Sequence, residues 1–190
     1  MRYYIITTTK FADQCVEYLT YGTTQSNWLA NINLGDIVFL SQFNYSSQNF
    51  FGPFRVIKTI FYNKDVIYPL QKYFYRIKLG LTKKDIKRID ETDLYLNGVQ
   101  MEDVSDYAKI INLIQQNKHL HCISLTDHEG ELIADVFLKF GTSYGKGQTS
   151  KLIGETVDVN RQYIWKKNRL DKTHKFSSES DLESYLVFFT

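Results

Sequence analysis

The order of segments in the first eighty residues constrains the fold of this chain most strongly. Residues 3–8 are aromatic or β-branched, as in a buried strand. Phe11–Leu19 can form a short helix that Gly22 would end. The turn Gly35-Asp36 then leads into an apolar strand over residues 37–40. A short helix set among strands in this order predicts a mixed α/β fold.

Later segments continue the pattern. Residues 104–117 are the clearest helix, because Tyr107, Ile110 and Ile114 recur at helical spacing. We expect a short basic helical turn over 83–89, whereas periodicity leaves 132–140 open between a strand and a helix. The other expected strands cover 54–61, 73–79 and 120–125, and polar loops cover 43–49 and 141–150.

Composition limits the class of partner. The 190 residues fit one domain, or one domain with an extension. Lys and Arg number 23 against 21 Asp and Glu, so any phosphate-binding surface would be a local patch. Two distant cysteines give no disulfide framework and suit a reducing, cytoplasmic setting. No run approaches the ~20 apolar residues of a membrane span.

Motifs for catalysis or metal binding are weak. His119, His121, Cys122 and His128 lie close in sequence, but alternation along a strand would separate Cys122 from the two histidines before it. The glycine-rich segment 141–150 departs from a Walker A loop in its glycine spacing and in the residue after its Lys. The sequence therefore favours a binding protein over an enzyme, with no cofactor and no metal.

Several short motifs follow one another along the first two thirds of the chain. They are Tyr3-Tyr4-Ile5-Ile6, Tyr21-Gly22, Gly35-Asp36-Ile37-Val38-Phe39-Leu40, Phe50-Phe51-Gly52-Pro53-Phe54, Lys118-His119 and Ile123-Ser124-Leu125-Thr126-Asp127. In order and spacing they resemble the YTH branch of the PUA-like superfamily, over residues 3–128. The resemblance implies a curved mixed β-sheet or partial barrel flanked by helices, as a domain over 1–130. Residues 131–190 would form a C-terminal extension packed on it.

YTH domains hold N6-methyladenine in an aromatic cage while polar groups read the base edge, so the resemblance implies a reader of a modified base. The family's first cage Trp corresponds to Thr24, and Trp28 can substitute for it. Gln25 matches the residue whose carbonyl meets the methylated amine, and Tyr68 or Tyr62 matches the other wall. The base-binding residues implied in this way are Thr7, Thr9, Asp13, Thr24, Gln25, Trp28, Tyr62 and Tyr68.

Each of these residues also has an ordinary structural explanation. Trp28 can pack against the core strand that follows it, and Asp13 can cap the first helix. Thr7 and Thr9 can simply end a strand. Tyr68 precedes Pro69 and can belong to a loop without a ligand.

Nucleic acid is the expected partner, as RNA or DNA, with a fused or separate protein partner also left open. Phosphate contacts would come from Lys83, Lys84, Lys87 and Arg88, or from a second basic cluster within 161–169, although such clusters are also common on solvated surfaces. The alternative is an EVE/PUA-like DNA-targeting module of a modification-dependent restriction system, which reads a modified base flipped from duplex DNA. A nucleic-acid enzyme and a structural interaction domain are further rivals.

Overall fold

A single mixed sheet organises the part of the chain that the computed structural model describes, which is residues 1–8, 10–43, 48–69, 72–94, 104–117, 120–145 and 156–158. The α-helices are α1 (Ala12–Tyr18), α2 (Val104–Asn117) and α3 (Asp127–Phe140), with a 3₁₀ helix at Ser26–Leu29 and a helical turn at 91–94. The strands are β1 (Tyr3–Thr8), β2 (Thr20–Thr23), β3 (Ile37–Phe43), β4 (Gln48–Asn63), β5 (Tyr75–Leu81), β6 (Ile86–Asp90), β7 (Cys122–Leu125), β8 (Thr142–Gly145) and β9 (Thr156–Asp158).

The main strand order is β2-β5-β4-β3-β1-β7, with β6, β8 and β9 branching from it. Only the β1–β3 pair is parallel among these described strands. The 16-residue strand β4 pairs with β3 and β6 through its first half and with β5 and β9 through its second half. Register shifts along β4 bend it, since a bulge increases local twist. The expected α/β architecture, a curved mixed sheet flanked by helices, is confirmed.

The two faces of the sheet carry separate apolar clusters, because alternate residues of β1 point to opposite sides. Tyr3 and Ile5 face α2 and α3, whereas Tyr4 and Ile6 face α1. The helix α3 can approach closely because Gly130 has no side chain. A Cβ there would lie 2.0 Å from the Tyr3 Cγ.

Several element predictions are confirmed and others are wrong. Strand 3–8 and helix 104–117 are confirmed as β1 and α2, and 132–140 is helical rather than extended. Residues 83–89 are not a helical turn, since Ile86–Asp90 pairs with β4 as a strand. The first helix ends at Leu19, whose φ is 45°, so Gly22 is a strand residue and not the helix terminus.

The chain beyond residue 130 begins inside α3, whose Ile133, Val136 and Phe137 are buried against the sheet. Strands β8 and β9 then pair with β6 and β4. Residues 146–155 and 159–190, including the basic segment 161–169, lie outside the described residues, so the division at 130 stays a prediction. Within the described residues, no helix is long and apolar enough to span a bilayer.

Candidate functional site

A pocket of about 190 Å³ opens at the end of β1, between α1, β2 and the 3₁₀ helix. A cavity of about 150 Å³ is enough to hold a benzene ring. The pocket therefore has room for a flat ring with small substituents. Its lining residues are Thr7, Thr8, Phe11, Cys15, Tyr21, Gly22, Thr23, Thr24, Trp28, Tyr68, Tyr73 and His121.

The end of β1 supplies two buried hydroxyls to this lining. Thr7 is 7% exposed and Thr8 is 6% exposed, and neither Oγ1 has a hydrogen-bond partner among the described residues. The Thr7 backbone, by contrast, is fixed: its N–H donates to the His121 carbonyl at 3.0 Å and its carbonyl accepts from the Tyr21 hydroxyl at 3.4 Å. A buried hydroxyl without a partner costs about 1–3 kcal/mol. Such groups are rare in a protein core, and here both belong to residues that line a cavity.

One wall of the pocket consists of three aromatic rings in edge-to-face contact. The ring centroids of Phe11, Tyr68 and Tyr73 lie 5.4–5.9 Å apart. Tyr68 is only 1% exposed, and its hydroxyl donates to the Thr20 carbonyl at 2.8 Å. The wall is therefore rigid. The Tyr68 ring lines the pocket from the core and does not close over a ligand as a loop side chain would.

Gly22 brings β2 against that wall. A Cβ at this position would lie 2.8 Å from both the Tyr68 Cε2 and the Tyr73 carbonyl oxygen. The β2 backbone can lie this close to the aromatic rings only because residue 22 has no side chain.

A buried arginine holds the segment that carries Tyr68 and Tyr73. Arg76 is 1% exposed, and its guanidinium donates to the Asn63 side chain and to the carbonyls of Asp65 and Tyr73, the last at 2.9 Å. Burial lowers the Arg76 pKa below its usual value. These bonds tie both ends of the loop to β5, so the aromatic wall keeps its position without help from a ligand.

Trp28 and His121 form a second aromatic feature of the lining. Their rings are stacked, with centroids 3.6 Å apart and planes inclined by 16°. Trp28 is half-buried on the 3₁₀ helix, which the buried side chains of Ser26 and Leu29 anchor to the core. This face-to-face geometry is the one that a nucleobase adopts on an aromatic side chain.

The described lining is uncharged at neutral pH. It contains no Asp, Glu, Lys or Arg. Burial lowers the pKa of His121, so its imidazole is neutral. Burial raises the pKa of the Cys15 thiol to about 12 and raises the pKa of the Tyr21, Tyr68 and Tyr73 phenols, so all four keep their protons. A neutral pocket suits a neutral ligand, because an ion buried there would lack a countercharge.

The pocket brings together four of the eight residues that the sequence implied. Thr7, Thr24, Trp28 and Tyr68 line it. Thr9 lies outside the described residues. The other three implied residues are Asp13, Gln25 and Tyr62, which are absent from the described lining.

Each of these three residues has another position and partner. Asp13 lies on the exposed side of α1 and accepts a hydrogen bond from the Tyr144 hydroxyl, so it neither caps the helix nor reaches the pocket. The Gln25 backbone N–H donates to the Thr23 hydroxyl at 3.1 Å. The Tyr62 ring packs 5.4–5.7 Å from the rings of Tyr75 and Phe74 on the sheet.

The expected phosphate-binding residues lie on and before β6. Lys83 and Lys84 are exposed, Lys87 forms an ion pair with Asp85 at 3.2 Å, and the Arg88 guanidinium donates to the Asn49 side chain at 2.8 and 3.1 Å. Their assignment to phosphate stays a prediction.

Sequence reasoning missed most of the lining. From sequence, Phe11, Tyr21 and Gly22 belong to the first helix and its end, and Tyr73 to a strand. His121 belongs to a strand or to a weak metal-ligand cluster. Three hydroxyl-bearing residues in succession after an apolar strand were a usable signal for Thr8. Across the described residues, no group of three His, Cys, Asp or Glu side chains could hold a metal ion.

Comparisons with known proteins give a likeness in structure. No protein-family model and no curated protein matches the chain. Among solved structures, the crystal structure of human THYN1 protein in complex with 5-methylcytosine containing DNA resembles it with a TM-score of 0.48 and 12% identity. That likeness covers 73% of this chain and 99% of the THYN1 chain.

Proposed function

We propose that this protein is a non-catalytic reader of a modified nucleobase, which it holds in the pocket at the end of β1. The observation that carries the proposal is one ring-sized, uncharged cavity whose lining combines aromatic rings with Thr7 and Thr8, two residues whose buried hydroxyls have no partner among the described residues. A nucleobase is flat, neutral and polar at its edge, so it can stack on the rings while its edge bonds polar groups of the lining.

The bound base can be a purine or a pyrimidine. N6-methyladenine is the base implied by the sequence resemblance to YTH domains, and it remains the leading purine. The cavity volume of about 190 Å³ favours a modified pyrimidine such as 5-methylcytosine, since it exceeds a benzene-sized cavity by little more than one water molecule, about 30 Å³. Either base in duplex DNA would first have to flip out of the stack, whereas a single strand avoids that cost.

Absence of catalysis is part of the proposal. Cys15 is the strongest nucleophile type in the lining, but burial holds it as a thiol. The neutral His121 stacks on Trp28, and the lining includes no carboxylate that could orient it as a base. The described pocket can thus bind a base without any group placed to cut or modify it.

Lys83, Lys84, Lys87 and Arg88 are proposed to contact the phosphates beside the base. They connect to the pocket through β8, which pairs with β6 and whose Tyr144 bonds Asp13 on α1. Each phosphate neutralised should add close to one unit to the salt dependence of binding, roughly 0.7–0.9 per contact.

The test is binding of matched oligonucleotides that contain adenine, N6-methyladenine, cytosine or 5-methylcytosine, each as single-stranded RNA, single-stranded DNA and duplex DNA at fixed salt. We expect one modified probe to bind better than its unmodified match. Trp28→Ala should remove that preference, because it deletes the ring that forms one wall of the pocket together with His121. Tyr62→Ala is the matched control, as it removes a half-buried aromatic ring outside the pocket.

A preference that survives Trp28→Ala but disappears in Tyr62→Ala would move the site to the sheet surface and contradict the proposal. Equal binding of modified and unmodified probes by the wild-type protein would remove the reader function altogether.

A further inference from the structure

The imidazole of His121 already occupies a face of Trp28 in this structure. The centroid distance of 3.6 Å leaves no room for another ring between them, because two stacked planes need about this spacing themselves. A base that uses this face of the indole must therefore replace the imidazole, and a base that avoids it has only the remaining cavity.

That remaining cavity is small. At about 190 Å³ it accommodates one six-membered ring with its substituents. A purine carries a fused five-membered ring in addition. His121 is exposed, whereas the opposite wall of Phe11, Tyr68 and Tyr73 packs against the core. The second ring therefore gains space most directly where the His121 side chain now lies.

His121 is attached in a way that allows its side chain alone to move. Its carbonyl accepts from the Thr7 N–H at 3.0 Å, which holds its backbone beside β1. The residue itself is exposed, so a rotation about its side-chain bonds can take the imidazole off the indole into solvent.

We infer that His121 determines which ring size the pocket accepts. While its imidazole lies on Trp28 the pocket takes a pyrimidine, and a purine binds only after the imidazole has rotated away. This inference rests on the proposed base-reading function and adds a specificity-determining residue to it.

The experiment compares the wild-type protein with His121→Ala against two probes, single-stranded DNA of one sequence that carries either N6-methyladenine or 5-methylcytosine. The variant should bind the purine probe about tenfold more tightly. This change is within the range of affinity differences that small changes in ligand size produce in a pocket. Binding of the pyrimidine probe should change by less than about twofold, because its space and stacking wall are unaltered.

His128→Ala is the matched control, since it removes an exposed histidine outside the pocket lining and should leave both affinities unchanged. His121→Phe sharpens the result: a larger, apolar ring should stack more firmly on Trp28 and weaken purine binding. Melting temperatures of all variants establish that each is folded.

Three patterns are decisive. A selective gain for the purine probe supports the inference. An equal change for both probes, or a loss for both, overturns it while base reading stands, and would make His121 an ordinary wall of the cage. If neither probe binds to wild-type or His121→Ala protein, the inference fails, and the proposed function fails with it when no modified RNA or duplex DNA probe binds either.

Discussion

The two faces of the sheet differ in how completely their groups are satisfied. The face under α2 and α3 is closely packed: Phe39 and Phe137 stack with ring centroids 5.5 Å apart, and Gly130 brings α3 against Tyr3. The face under α1 contains the pocket, whose lining includes Thr7 and Thr8, two residues with hydroxyls that lack partners among the described residues. The packed face favours stability, whereas the cavity and the unpartnered hydroxyls beside it come at a cost in stability.

That difference supports the proposed function. Unpartnered buried groups disfavour the folded state, and two of them belong to residues that line one cavity, which fits the proposal that a ligand binds there. The packed face makes such a cavity possible, because it holds β1 in place from the other side. The predictions below alter one face at a time, in order of decreasing effect.

Phe137→Ala should have the largest effect, and only on stability. Its side chain is fully buried on the packed face, so removal should lower the free energy of unfolding by about 3–5 kcal/mol. Base binding per folded molecule should not change. Chemical denaturation measures the free energy of unfolding. Titration without denaturant, well below the melting temperature, measures the affinity. Altered affinity of the folded fraction would show that the faces are not independent.

Gly22→Ala should affect both stability and binding. Its new Cβ would lie 2.8 Å from Tyr68, whose buried ring cannot move aside, so overpacking should cost about 1–3 kcal/mol and shift the aromatic wall. Gly80→Ala is the control: its Cβ would lie 2.7 Å from the Ile57 Cγ2, but Ile57 is exposed and can rotate away. Thermal unfolding and probe binding should separate the two variants. Equal effects would mean that the wall is not rigid.

Trp28→Ala should weaken binding of the preferred probe by about 1–3 kcal/mol, a loss comparable to that of one stacking ring, because it removes an aromatic wall of the pocket. Its effect on stability should be smaller than that of Phe137→Ala, because Trp28 is half-buried. Calorimetric titration and denaturation curves give both numbers. A stability loss as large as that of Phe137→Ala would assign Trp28 to the core.

The smallest expected effect is a change with pH. The folded state lowers the pKa of His121 below 6.5, so the unfolded chain takes up its proton first. The free energy of unfolding should therefore be highest above about pH 6.5 and should decline as the pH falls from there through the lowered pKa of His121. Denaturation at pH 7 and pH 5 should show a smaller decline for His121→Gln than for the wild type. If stability declines equally in the variant and the wild type, the His121 imidazole is solvated in the folded protein.

Much of the packed face could be predicted from sequence, and little of the pocket could. Aromatic and β-branched residue types located β1, and helical periodicity located α2. The helix α3 was left open although Thr126 and Glu129 form a capping box at its start, a local signal that would have settled it.

The pocket escaped prediction because its residues come from segments that only the fold brings together. His121 reaches Trp28 across more than ninety positions of sequence, and nothing in either segment indicates the stack. The basic composition of 83–89 suggested an exposed turn, whereas pairing with the long strand β4 makes Ile86–Asp90 a strand. Tyr68 was identified as an aromatic wall, but its burial depends on Gly22 and Arg76.

Thr8→Val tests the central claim most directly, since it replaces an unpartnered hydroxyl by a methyl group of nearly the same size. The account predicts that the free energy of unfolding of this variant is about 1 kcal/mol higher than that of the wild type. It also predicts that the variant binds the preferred modified base more weakly. Ser26→Ala, which removes an equally buried and unpartnered hydroxyl outside the lining, should gain stability without losing affinity. Unchanged binding by Thr8→Val would contradict the account.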